Sequence, residues 1–263
     1  MDTESRIIVA LDYPTFEQAL ALADLIGPDV AAFKLGNELA EAEGPGAFGC
    51  VKALSAKGGN TFRDSKLHDI PRTVEAAAAR LVQPGVFMFN MMCQGGAAMM
   101  AAGKAAAVKR AQELGIPAPL ALGVTVLTSL DYEQLVEMED LRHYPFPMTF
   151  TAETIAEEKI KAVQRKVVIY ARLAQKAGLD GVVCSAQEAR IVREACGAGF
   201  KTVCPGIRSK NAPPDDQKRT MTVAEAAAAG VDYFVIGRPI TQAKDPKAAV
   251  VQFNREAAEA RGT

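Results

Sequence analysis

The chain has 263 residues, 49% of them hydrophobic, enough for one sizeable core. Its 30 basic and 31 acidic residues leave a formal net charge of −1, which gives no reason to expect binding to nucleic acid or a membrane surface. Five cysteines without a CxxC pair, and only two histidines, argue against a zinc site and against a full disulfide framework. Free buried thiols fit a reducing compartment. Met1 to Ala10 carries no signal-peptide h-region, and no apolar run approaches the ~20 residues of a membrane helix. The expectation is a soluble, cytoplasmic protein.

Short apolar runs alternate with Ala- and Leu-rich amphipathic stretches. Ile7 to Leu11 reads as a strand, then Pro14 to Leu25 as a helix with Pro near its start. Ala31 to Leu35 reads as the second strand and Gly44 to Ala56 as a helix. Asn60 to Lys66 is the third strand, followed by a helix from Pro71 to Leu81. Val86 to Asn90 is the fourth, followed by a long helix from Gly96 to Leu114. Leu120 to Val126 is the fifth. Asp131 to Phe150 looks like an irregular excursion before a helix from Thr154 to Ala177. Gly181 to Cys184, Lys201 to Cys204 and Tyr233 to Ile236 complete the strands. Between the last two lies a polar, aperiodic loop at 209–219, either a lid or a passive linker.

Strands alternating with helices argue for a parallel sheet. Eight such units predict one α/β domain over residues 1–263, a TIM (β/α)8 barrel, with an open doubly wound sheet as the alternative. No GxGxxG follows the first strand, so a dinucleotide fold gains no support.

Charge concentrates at strand ends. Residues two apart on a strand share a face. Phe62, Asp64 and Lys66 therefore point together, as do Ala32 with Lys34 and Ile8 with Ala10 and Asp12. In barrels such C-terminal strand ends carry the active site. Any one of these residues alone reads as a solvated ion pair. All of them together are harder to explain that way, because desolvating charges is costly unless they are paired.

The string Asp64-Ser65-Lys66-Leu67-His68-Asp69-Ile70-Pro71 resembles the Asp-x-Lys-x-x-Asp signature of the orotidine 5′-monophosphate decarboxylase family. Further similar segments follow in order: Ala10-Leu11-Asp12, Phe33-Lys34-Leu35-Gly36, Gly123 to Ser129, Cys204 to Arg208 and Ile236 to Ile240. The resemblance implies cofactor-free, metal-free loss of CO₂ from a pyrimidine nucleotide. It implies a catalytic tetrad of Lys34, Asp64, Lys66 and Asp69, with Lys66 as proton donor. Asp69 is implied to reach the neighbouring active site of a homodimer. Substrate contacts carried over by position are Asp12, Lys34, Thr73, Thr128, Ser129, Pro205, Arg208, Gln217, Gly237 and Arg238. Asp12 is expected at a ribose hydroxyl, Thr128 and Ser129 at the pyrimidine, Gln217 at both base and phosphate, and Arg238 at the phosphate.

Three positions depart from the family pattern. Ser65 stands where Leu is common, Arg72 where Asn is frequent, and Met92 where a His is usual. His68 reads as a structural hydrogen-bond partner and the cysteines as packing thiols. Two other readings remain open: a metal-using relative acting on sugar phosphates, and a phosphate-ligand binding protein with a degenerate site.

Overall fold

The computed structural model describes residues 5–42, 44–138, 147, 149–208 and 220–260. In chain order the first half runs β1 (Ile7–Ala10), α1 (Phe16–Ile26), β2 (Ala32–Leu35), α2 (Asn37–Ala40), α3 (Gly46–Ala56), β3 (Thr61–Leu67), α4 (Pro71–Leu81), β4 (Val86–Met92), α5 (Gly96–Leu114) and β5 (Leu120–Val124). The second half runs α6 (Tyr132–Glu137), α7 (Ala152–Lys176), β6 (Gly181–Val183), α8 (Ala189–Cys196), β7 (Lys201–Cys204), α9 (Val223–Ala228), β8 (Tyr233–Ile236), α10 (Arg238–Thr241) and α11 (Pro246–Glu259). Among the described residues eight parallel strands close into a barrel in sequential order, with β8 paired to β1. The open-sheet alternative is thereby excluded.

Period-two alternation builds two cores. Ile8, Ala32, Phe62, Met88, Leu122, Val203 and Val235 point inward and fill the barrel floor. Their neighbours Ile7, Val9, Phe33, Leu35, Phe89 and Met91 point outward against the helices. Continuing the inward parity up the barrel gives Lys34, Asp64 and Asn90 one step above Ala32, Phe62 and Met88, and Asp12 one step above Ala10. The floor is apolar and the next layer polar because the alternation ends in those side chains.

Local chemistry sets the boundaries. Pro71 opens α4, and Ile70 before it is extended at φ −59 and ψ 153. Gly115 closes α5 in the left-handed region at φ 64. The segment read as irregular from Asp131 to Phe150 contains α6. Asp131 and Gln134 form a reciprocal capping box there, enough to start a short helix despite weak periodicity. Residues 139–146 and 148 of that segment, and the loop at 209–219, lie outside the described residues.

At the opposite end of the barrel, Asp232 accepts from the backbone N–H and hydroxyl of Thr202 and pairs with Arg193 at 3.0 Å. Charges at the N-terminal face of such barrels serve stability. So does Gly181, which pairs with Lys201 across β6 and β7. A Cβ there would stand 2.2 Å from the Lys201 carbonyl oxygen, so the strands must part to admit it. Gly181→Ala is expected to cost about 1–3 kcal/mol. Thermal melting checks this, and an unchanged Tm would contradict the packing described.

Candidate active site

Four charged side chains of alternating sign line the upper wall of the barrel. The Lys34 ammonium contacts Asp12 at 2.9 Å and Asp64 at 3.5 Å. Asp64 in turn accepts from Lys66 Nζ at 2.8 Å. Burial disfavours charge on Lys34, but the Asp64 and Asp12 carboxylates outweigh it and hold its pKa above the ordinary lysine value. Burial likewise opposes ionisation of Asp64. Lys34 and Lys66, with hydrogen bonds from Lys66 and Asn90, overcome it and hold the carboxyl below its usual range. Both groups therefore stay charged through the neutral range. The Lys66 side chain is 36% exposed against 13% for Asp64, so of the two cavity-lining groups the ammonium is the more open.

The route from sequence to this geometry is not a regular strand. Pairing of β3 with β4 slips between Arg63 and Leu67, a bulge that turns the end of β3. Lys66 sits inside it at φ 46, the sole non-glycine residue with positive φ among the described residues. That conformation costs of order 1–3 kcal/mol and persists only where its surroundings impose it. Asn90, fully buried on β4, supplies the constraint. Its Oδ1 accepts from the Lys66 backbone N–H at 2.7 Å, and its Nδ2 donates to Asp64 Oδ1 at 2.7 Å. The alternation that pairs Asp64 with Lys66 in the sequence says nothing of this bulge. Asn90 was not among the expected site residues. Its inward parity with Met88, as the one polar residue interrupting the apolar run Val86 to Cys93, is the signal in the sequence.

These groups open into a cavity of about 610 Å³. Of the expected residues, Asp12, Lys34, Asp64, Lys66, Thr128, Ser129, Pro205, Arg208, Gly237 and Arg238 line it. Each lies on or just after the C-terminal end of a strand. Tyr13, Glu38 and Gln242 line it too and were not expected. Asp69 and Thr73 do not. Both are exposed at the turn into α4, where Asp69 Oδ1 accepts from the Ile70 N–H at 2.6 Å. Gln217 lies outside the described residues. Arg208, just before that undescribed loop, is tied across it, its N–H donating to Met221 O at 3.0 Å.

The chain matches the family model described as Orotidine 5′-phosphate decarboxylase / HUMPS family over residues 5–253. An orotidine 5′-phosphate decarboxylase of Moorella thermoacetica is 44% identical over 249 residues, covering 95% of this chain and 90% of the relative. One from Chromohalobacter salexigens is 41% identical, covering 98% of each.

The chain belongs to the orotidine 5′-phosphate decarboxylase / HUMPS family.

A solved orotidine 5′-phosphate decarboxylase from Lactobacillus acidophilus superposes with a TM-score of 0.77 at 30% identity, covering 96% of this chain and 99% of that one. Where the chain departs from the decarboxylase pattern, the structure gives a local picture. Met92 is half-buried at the end of β4. The Ser65 hydroxyl is buried without a hydrogen-bond partner among the described residues, a cost of about 1–3 kcal/mol. Arg72 is exposed in the first turn of α4. His68 is exposed and makes no hydrogen bond among the described residues, so it is not the structural partner expected. Its ring edge instead lies against Gly95. Four cysteines are buried and Cys196 is half-buried, and all five are free thiols. Burial pushes the Cys93 thiol up to about 12, so it is inert as a nucleophile.

Proposed function

We propose that the chain converts orotidine 5′-monophosphate to uridine 5′-monophosphate and CO₂ without metal or cofactor, the last step of de novo pyrimidine nucleotide synthesis. The observation that carries this is one carboxylate, Asp64, shared by two ammonium groups at the wall of a nucleotide-sized cavity.

The chemistry is hard because the C6–carboxylate bond breaks with its electron pair left in an sp² orbital. The ring π system cannot delocalise that pair. Fixed charge must stabilise it instead. The Lys66 ammonium stabilises the developing carbanion and delivers a proton from Nζ to C6. CO₂ leaves and Lys66 is left neutral, to be reprotonated from water. Asp64 holds Lys66 in place, and Lys34 balances Asp64 from the other side. Asp12, bonded to Lys34 and lining the cavity, accepts from a ribose hydroxyl in this reading. Arg208, Gly237 and Arg238 follow the last two strands, where barrels commonly hold phosphate.

Two unit charges ~4 Å apart gain ~4 kcal/mol at an effective dielectric of ~20. Slow reactions demand more than ~20 kcal/mol of acceleration. The rest must come from binding energy of the remote phosphate and ribose, used to orient the base.

Asp69 and Thr73 belong to the same reading through a second copy of the chain. Asp69 faces solvent rather than its own cavity, and Ile70 beside it is 65% exposed, an apolar side chain suited to burial in a subunit contact. A homodimer with the partner subunit's Asp69 completing each site fits both facts.

The metal-using sugar-phosphate relatives typically carry an acidic group where Lys34 stands. Here a cation occupies that place, bonded to both nearby carboxylates. Direct spectrophotometry of orotidine 5′-monophosphate loss, with and without a strong chelator, separates the readings. Loss at an equal rate in both supports the proposal. No loss, or loss only with divalent metal, refutes it.

A further inference from the structure

We propose that Asn90 is a positioning residue for the reaction, fixing Lys66 and Asp64 relative to each other across the bulge that ends β3. The inference rests on the decarboxylase reading above and adds a residue to it. An asparagine buried in a barrel can be merely satisfied. Asn90 differs because both ends of its amide go to the reacting cluster. Its Oδ1 meets the Lys66 N–H at 2.7 Å and its Nδ2 meets Asp64 Oδ1 at 2.7 Å. The orientation of the amide is not ambiguous. A backbone N–H can only donate, so it must face the oxygen, which turns the nitrogen toward a carboxylate that can only accept.

Each bond has its own consequence. The bond to the Lys66 N–H holds the backbone at φ 46, a conformation a lysine rarely adopts. That conformation directs the Lys66 side chain back over Asp64 and into the cavity, where both line the wall. The bond to Asp64 Oδ1 shares the same oxygen that accepts from Lys66 Nζ. Asp64 therefore cannot rotate toward Lys34 without losing both. Asn90 touches Lys66 and Asp64 but does not line the cavity, so it acts through them and not on substrate.

Two variants test this. Asn90→Ala removes both bonds. Its kcat is expected to fall about 10²-fold, as an ångström of misplacement costs, while affinity for uridine 5′-monophosphate stays within about threefold. Asn90→Asp keeps the shape and the acceptor but sets a second carboxylate against Asp64. The ionisable groups around it are Asp64 and Lys66 on β3, with Lys34 on β2 and Asp12 beyond. With one proton shared, the carboxylate pair mimics the amide; with both ionised, the two repel. The kcat of Asn90→Asp is therefore expected to fall as pH rises across a range where the wild type is level.

An Asn90→Ala enzyme with kcat within about twofold of wild type overturns the proposal, as does one losing kcat and product affinity by equal factors. Should Asn90→Ala not fold, Asn90→Asp decides alone: a pH profile parallel to wild type overturns the proposal, and the expected decline supports it. Inactive wild type overturns the decarboxylase reading itself. Active wild type with indifferent variants overturns only the role of Asn90.

Discussion

Lys66→Ala is expected to lose turnover by on the order of 10⁴-fold or more, while uridine 5′-monophosphate still binds. Two effects disappear together. General-acid delivery contributes ~10²–10⁴-fold, and removal of a single preorganised electrostatic group costs ~10²–10³-fold. Neither is needed to bind product, which carries no charge at C6. Removing the ammonium also leaves Asp64 with Lys34 and Asn90 as its partners among the described residues. A kcat near wild type in this variant would end the proposed mechanism. Loss of product binding in parallel with turnover would instead mean that Lys66 holds the fold of the site.

A second large effect concerns Asp69. Lys66→Ala and Asp69→Ala proteins are each expected to be nearly inactive alone. Mixed and allowed to exchange subunits, they should regain about a quarter of wild-type activity, because half the dimers are mixed and each mixed dimer has one intact site. In that site Lys66 comes from one chain and Asp69 from the other. The proposed shared site rests on Asp69 being exposed at the turn before α4, where it accepts from the Ile70 N–H, and absent from the lining of its own chain's cavity. A mixture as inactive as its parents, with subunit exchange demonstrated, would confine catalysis to one chain and leave Asp69 outside it.

The barrel was legible in the sequence because both cores follow simple parity. Alternation placed Asp12 with Ala10, Lys34 with Ala32 and Asp64 with Phe62, and all three charged members line the cavity. Strand ends follow the apolar runs less closely. The fifth strand stops at Val124, two residues short of the apolar run, where Thr125 Oγ1 instead bonds the Val183 carbonyl at 3.0 Å. The third runs one residue further, to Leu67, because a bulge absorbs the irregularity. A bulge leaves no trace in a hydrophobic pattern, and neither does the left-handed turn at Lys66. Asn90 is marked in the chain only by its inward parity with Met88, and its two hydrogen bonds to β3 have no counterpart in the pattern. Helix α6 was hidden differently: its signal is a cap formed by Asp131 and Gln134, in a segment whose periodicity is too short to read.

The central claim is that the Lys66 ammonium delivers the proton to C6 from within a paired charge cluster. The most direct measurement is solvent exchange at C6 of uridine 5′-monophosphate in D₂O, which runs the proton-transfer step without any CO₂. Slow incorporation of deuterium at C6 is expected with the wild-type protein in the presence of chelator, and none above background with Lys66→Ala. Equal exchange by both proteins would show that another group carries the proton and would contradict the claim.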